Sequence, residues 1–174
     1  MIREKTEHLG TVRRGWSTSY AGSRFGKAWL LRAAVAMDQI YVLDKGQALY
    51  PVAHLDGNGA PLNGAKNYML CDLPPVNAFW SMTLYYAKGF LVPNSIKRYS
   101  IGDRTPGIRY EADGSLRLYL QSDNPGAGRA SNWLPTPKEG FMLMMRLYEP
   151  KPAKWSPPAI VPVTGDGAAE CPAR

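Results

Sequence analysis

The stretch Phe79-Trp80-Ser81-Met82-Thr83-Leu84-Tyr85 decides the fold. Its side chains alternate with a period of two, as in a strand whose two faces meet different surroundings. Trp80, Met82 and Leu84 form the better core face, and Phe79, Ser81, Thr83 and Tyr85 form the other. Just upstream, Leu73-Pro74-Pro75 is a stiff connector that a central strand does not tolerate. Downstream, a turn around Lys88-Gly89 leads to Phe90-Leu91-Val92. Further strands are predicted at Ile108 to Tyr110, at Leu116 to Leu120 and at Phe141 to Tyr148. Asp113-Gly114 between the first two of these is a good hairpin signal.

Upstream, Tyr41 to Leu43 and Tyr50 to His54 are short strand candidates. Asp56-Gly57-Asn58-Gly59 predicts a hairpin between a strand at 50–55 and one at 66–71. Residues 122–136, rich in Gly, Asn, Pro and Ser, are expected to be a long loop. One helix is predicted over 23–38, where Phe25, Trp29, Ala33 and Met37 recur every four residues and Ser23 offers a cap. That apolar line is expected to pack on a sheet. Many short strands with regular turns and one early helix make an antiparallel β-sandwich or jelly roll. Crossover helices, which a parallel sheet requires, are missing between successive strands.

The chain of 174 residues suffices for one core, not for two. Residues 1–19 read as a basic lead, mobile or docked through Trp16; 20–157 as a single sandwich domain; and 158–174 as an extended or disordered tail. Apolar residues make up 45% and charged residues 20%, which argues against a coiled coil or a charged disordered chain. The net charge of +7 is concentrated in residues 1–32, which carry seven basic and two acidic side chains. The remainder is nearly balanced, so a nucleic-acid partner is not expected. No membrane span is expected, because no apolar run approaches the required length. A soluble cytoplasmic protein is expected, since no apolar leader follows Met1.

The chemistry available is narrow. Two cysteines, Cys71 and Cys171, stand 100 residues apart, which supports neither a zinc site nor a disulfide scaffold. With His8 and His54 alone, a Ser-His-Asp triad has few bases and a three-histidine metal centre cannot be built. No cofactor-binding signature is present. The densest polar run covers 93–105, and a second runs from Gln121 to Pro135. Arg98 and Arg104 offer donor forks, and Asp103 could orient either one. Asn77, Tyr85, Tyr99 and Trp133 could shape a pocket around them. The plainer alternative is that these groups hold long loops together.

These residues also carry a resemblance. Leu73-Pro74-Pro75-Val76-Asn77-Ala78-Phe79-Trp80-Ser81 and Asn94-x-x-x-Arg98-Tyr99-Ser100-Ile101-Gly102-Asp103-Arg104 resemble the bacterial domain of unknown function 1214. So do Tyr110-x-x-Asp113-Gly114-Ser115, Ser122-x-x-Pro125-Gly126, Asn132-Trp133-Leu134-Pro135-x-Pro137 and Arg146-Leu147-Tyr148-x-Pro150. The similarity spans residues 16–157. It implies a jelly-roll-type sandwich and assigns no catalytic residue. Many relatives carry an additional N-terminal domain, the domain of unknown function 1254, which a chain of this length cannot include. Three functions are therefore weighed. The first is a module for a small polar or anionic ligand held by the seven residues above. The second is an enzyme completed by a partner domain or subunit, and the third is a structural or interaction module, as a homo-oligomer or with a separate partner.

Overall fold

The computed structural model of the chain describes residues 10–38, 42–72, 75–151 and 156–163. Its elements, in chain order, are β1 (Thr11–Arg13), β2 (Trp16–Thr18), α1 (Trp29–Asp38), β3 (Ala48–Leu49), β4 (Val52–Ala53), β5 (Asn67–Cys71), β6 (Trp80–Tyr86), β7 (Ser100–Gly102), β8 (Arg117–Gln121), a 3-10 turn (Ala130–Asn132), β9 (Trp133–Pro135), β10 (Phe141–Tyr148) and β11 (Ile160–Val163). They form two sheets. The larger has seven strands in the order β1-β2-β4-β10-β6-β7, with β3 also pairing with β10. The smaller has four, in the order β11-β5-β8-β9. All pairs are antiparallel except β8 with β9.

The longest pairing joins β10 to β6, from Phe141 opposite Tyr86 to Leu147 opposite Trp80. Directly opposed residues share a face, so the alternation of one strand fixes that of the other. Trp80, Met82, Leu84, Phe141, Leu143, Met145 and Leu147 all point inward. They meet Tyr68, Leu70, Leu118, Leu120, Leu134 and Ile160 of the small sheet in one buried core. Each fully buried side chain of this size contributes about 1.5–3 kcal/mol. The two inner faces close on one another as a mostly β, two-sheet sandwich.

Segments near both limits of the described residues join this core. Trp16 is completely buried in the large sheet, and its indole Nε1 donates to the Pro158 carbonyl at 2.8 Å. Ile160, in the segment expected to be a tail, is also completely buried on β11. The long loop at 122–136 includes β9, which pairs in parallel with β8.

Further sequence expectations need correction, among them the strand at Ile108 to Tyr110, which is reduced to a single bridge between Tyr110 and Leu116. The helix begins at Trp29, not 23, because Gly22 and Gly26 adopt φ of +60° and +51°, which interrupt a right-handed helix. Ser23 bonds to Asp44 Oδ1 instead of capping the helix. The helix buries Ala34 and Val35 against Phe25, Leu31 and Val42, while Trp29 and Met37 of the predicted packing line are 66% and 57% exposed. The 50–55 and 66–71 segments do not form a hairpin, because β4 lies in the large sheet and β5 in the small one. The Asp56 turn is real, with Asp56 Oδ1 accepting from the Asn58 and Ala60 amides, but the loop it closes is short, Leu62 N returning to His54 O. A second turn, in which Asn63 Oδ1 accepts from Ala65 N, then carries the chain across to the other sheet. Finally, Cys71 is disulfide-bonded, since pairing depends on Cα proximity and not on sequence spacing. Cys171 and the strand candidate's Tyr41 lie outside the described residues.

Candidate functional site

The seven expected ligand residues do not form one site. Arg98 Nη1 lies 2.9, 3.1 and 2.8 Å from the carbonyls of Ala130, Ser131 and Trp133. It ties the β6–β7 connection to the 3-10 turn and β9. Asn94 shapes that connection, its amide bridging the Arg98 and Val92 carbonyls and its Oδ1 taking the Arg98 amide. Trp133 is buried, and its Nε1 donates to Gln121 O at 2.8 Å. Tyr99 accepts from Leu84 N through its carbonyl, and its ring is exposed, so the bonds of Arg98 and Trp133 alone define the clamp. These are loop-holding roles that chemistry alone does not distinguish from ligand contacts.

Asn77, Asp103 and Arg104 do converge, at the end of the large sheet where β6 begins and β10 ends. A pocket of about 570 Å³ opens there, lined by Gly46, Gln47, Asn77, Phe79, Tyr148 and Glu149 among others. The Phe79 ring stacks on Tyr148, with centroids 4.2 Å apart and planes 26° apart. The Arg104 guanidinium carbon lies 4.4 Å from the same ring centre. Asp103 Oδ1 accepts from Trp80 N at 3.3 Å and fixes the loop from which Arg104 reaches back. Asn77 is anchored by its main chain, its amide donating to Glu149 O. The result is an aromatic wall backed by a cation, in a pocket that Asn77 and Gln47 also line.

Tyr85 belongs to a second cluster on the outer face of the large sheet. Across the β6–β10 register, Ser81 opposes Arg146, Thr83 opposes Met144 and Tyr85 opposes Met142. Arg146 leans along this face, Nη1 donating to Thr83 Oγ1 at 2.8 Å and Nη2 to the Tyr85 hydroxyl at 3.0 Å. Met142, Met144 and Val52 form a buried cluster on the same face, with Tyr85 packed against them. The phenol of Tyr50 is pushed above its ordinary pKa, chiefly by burial and then by Tyr148, whose charge and hydrogen bond both favour the protonated form. Arg146 partly offsets that shift. The sequence reading missed Arg146, Tyr148 and Tyr50. The alternation of 141–148 could have placed Arg146 and Tyr148 on the face of Ser81 and Tyr85 once the two strands were paired.

Among the described residues no group of three or more metal-ligating side chains occurs, and no helix is long and apolar enough to cross a membrane.

No curated protein matches the chain. The crystal structure of the VPA0106 protein from Vibrio parahaemolyticus is similar, with a TM-score of 0.69 and 26% identity over 94% of this chain and 42% of that one. A crystal structure of an uncharacterized protein from Burkholderia cenocepacia gives 0.46 and 16%, covering 74% of this chain and 32% of that one. The chain thus spans less than half the length of the Vibrio protein it resembles. Residues 47–152, which contain the β6–β10 pairing, the pocket residues from Gln47 to Pro150 and the Arg98 clamp, match the family described as protein of unknown function (DUF1214), and the chain belongs to that family.

Proposed function

We propose that this domain, a sandwich of jelly-roll type, binds a small planar polar ligand in the pocket between Asn77-Phe79 and Tyr148-Glu149. The observation that carries this is the stacked Phe79–Tyr148 wall, backed by Arg104, beside two side-chain amides. Aromatic faces accept flat ligands without sequence-specific geometry, and the amides of Asn77 and Gln47 supply both donors and acceptors to fix orientation. Thermal unfolding in the presence of adenosine, nicotinamide and tryptophan tests the proposal. At least one probe is expected to raise the midpoint of the wild type and to lose that effect in Phe79→Ala. No shift with any probe, or an undiminished shift in Phe79→Ala, refutes it.

The coverage of only 42% of the Vibrio chain supports a second reading, in which the pocket is completed by another domain or subunit and acts as an enzyme site. Under it, the isolated chain binds the probes weakly and gains affinity when a partner domain is added.

A further inference from the structure

The Arg146 cluster shares a sheet face with the pocket wall, since Tyr50 interacts with both Tyr148 and Arg146, yet its donors and acceptors form a separate set. Arg24 pairs with Asp44 and Arg117 with Glu111. Arg98 is spent on carbonyls and Arg104 on the Phe79 ring. Arg146 is half-buried on the face that carries Met142 and Met144 and is bonded to two neutral hydroxyls, with no carboxylate among the described residues to pair with it. Desolvating a charge without a counterion is costly.

The count of hydrogen-bonding groups sharpens this. A guanidinium has five N–H donors, and Thr83 and Tyr85 account for two. Nε and the second hydrogens of Nη1 and Nη2 remain in one plane, the geometry that receives a carboxylate bidentately. The Thr83 and Tyr85 hydroxyls accept from Arg146, so their own protons are available to donate. Nearby, Tyr50 is held in its protonated, neutral form. The cluster therefore presents donors on one face, with one positive charge and no negative one.

We propose that Arg146, Thr83 and Tyr85 form a carboxylate-binding site on the outer face of the large sheet, which takes a small monocarboxylic acid. A single half-buried cation balances a single negative charge, and a phosphate or sulfate dianion would leave an excess charge unpaired.

Sodium benzoate is the probe, titrated calorimetrically into the whole chain at an ionic strength held constant with chloride, because salt screening must not vary. Saturable binding is expected in the wild type. Arg146→Gln is expected to weaken it at least about tenfold, Arg146→Lys less, and Tyr85→Phe about threefold to tenfold. Circular dichroism establishes that each variant is folded; if Arg146→Gln is not, Tyr85→Phe, which removes a proton donor and keeps the ring, decides. Asn77→Ala is expected to leave benzoate binding unchanged, so failure of the pocket proposal and failure of this one are separable. No saturable binding to the wild type, unchanged binding in the folded Arg146 and Tyr85 variants, or tighter binding of inorganic phosphate than of benzoate overturns the proposal.

Discussion

Replacing Arg98 with methionine removes the fork between the two sheets while keeping most of its aliphatic stem. Nη1 carries two hydrogens and faces three carbonyls at 2.8–3.1 Å, so the loss is about two charge-assisted hydrogen bonds. Such bonds are worth roughly 1.5–3 kcal/mol each. Arg98 is half-buried, so water replaces part of the interaction, and a net loss of about 3 kcal/mol is expected. For a chain of this size that lowers the melting temperature by about 6–12 °C. Thermal and urea unfolding followed by tryptophan fluorescence measures it, with Trp133 reporting from beside the clamp. Arg104→Met is the internal comparison, because its guanidinium only stacks on Phe79, worth about 0.5–1 kcal/mol at an exposed position. A ligand-binding role for Arg98 would instead lower affinity and spare stability. If Arg98→Met melts no lower than Arg104→Met, the assignment of Arg98 as a clamp is wrong.

Other positions give equally specific outcomes. Asn132 is buried, donates through Nδ2 to the Arg109 and Arg117 carbonyls at 2.6 and 2.9 Å, and accepts from Arg109 N at 2.9 Å. Asn132→Asp sets a carboxylate oxygen against two carbonyl oxygens, so a loss of about 3 kcal/mol in urea unfolding is expected at neutral pH, smaller in acid where the group protonates. A Cβ on Gly64 would collide with the Pro137 carbonyl oxygen, which is main chain and cannot swing aside. Gly64→Ala is expected to cost at least about 2 kcal/mol, whereas Gly128→Ala, facing open space, should stay within about 0.5 kcal/mol by the same assay. Because burial raises the Tyr50 pKa, the folded state binds that proton more tightly than the unfolded chain. Its contribution is complete below the ordinary tyrosine pKa of about 10 and is lost as pH climbs through the raised value. Stability measured across alkaline pH should fall less steeply in Tyr50→Phe than in the wild type.

The long strands were legible because their pattern is local. Trp80, Met82 and Leu84 point inward, as their alternation predicted; Phe141, Leu143, Met145 and Leu147 do too, but the unbroken apolar run 141–145 leaves their face to be fixed by pairing with β6. The helix face was misread for a physical reason. A four-residue recurrence finds an apolar line, yet Ala34 and Val35 form a denser contact with Phe25 and Val42, so Trp29 and Met37 face outward. Strand partners were harder still. The Asp56 turn has a hairpin's chemistry, but Asn63 and Gly64 redirect the chain into the other sheet within a few residues. The candidate site divides in the same way. Asn77, Asp103 and Arg104 meet because 77–80 and 102–104 flank the β6–β7 pairing. Arg98 and Trp133 meet elsewhere, because Arg98 reaches the far sheet's carbonyls. Arginine in a polar loop looks alike in either role, and only the acceptors that surround it tell them apart.

The flanks of the small sheet carry one more consequence. On β11 the Ile160 carbonyl is already taken by Gly57 N at 2.8 Å, and Pro162, two residues on and facing the same way, has no N–H. On β9 the Trp133 carbonyl is taken by Arg98, and Pro135, again two residues on, has none either. Each margin thus has one acceptor occupied and one donor deleted, which breaks the ladder an incoming strand would need. The four-stranded sheet is closed to growth without being a barrel. Assembly by strand addition, whether into an oligomer or an aggregate, is left to the large sheet, where the exposed β1 is only three residues long.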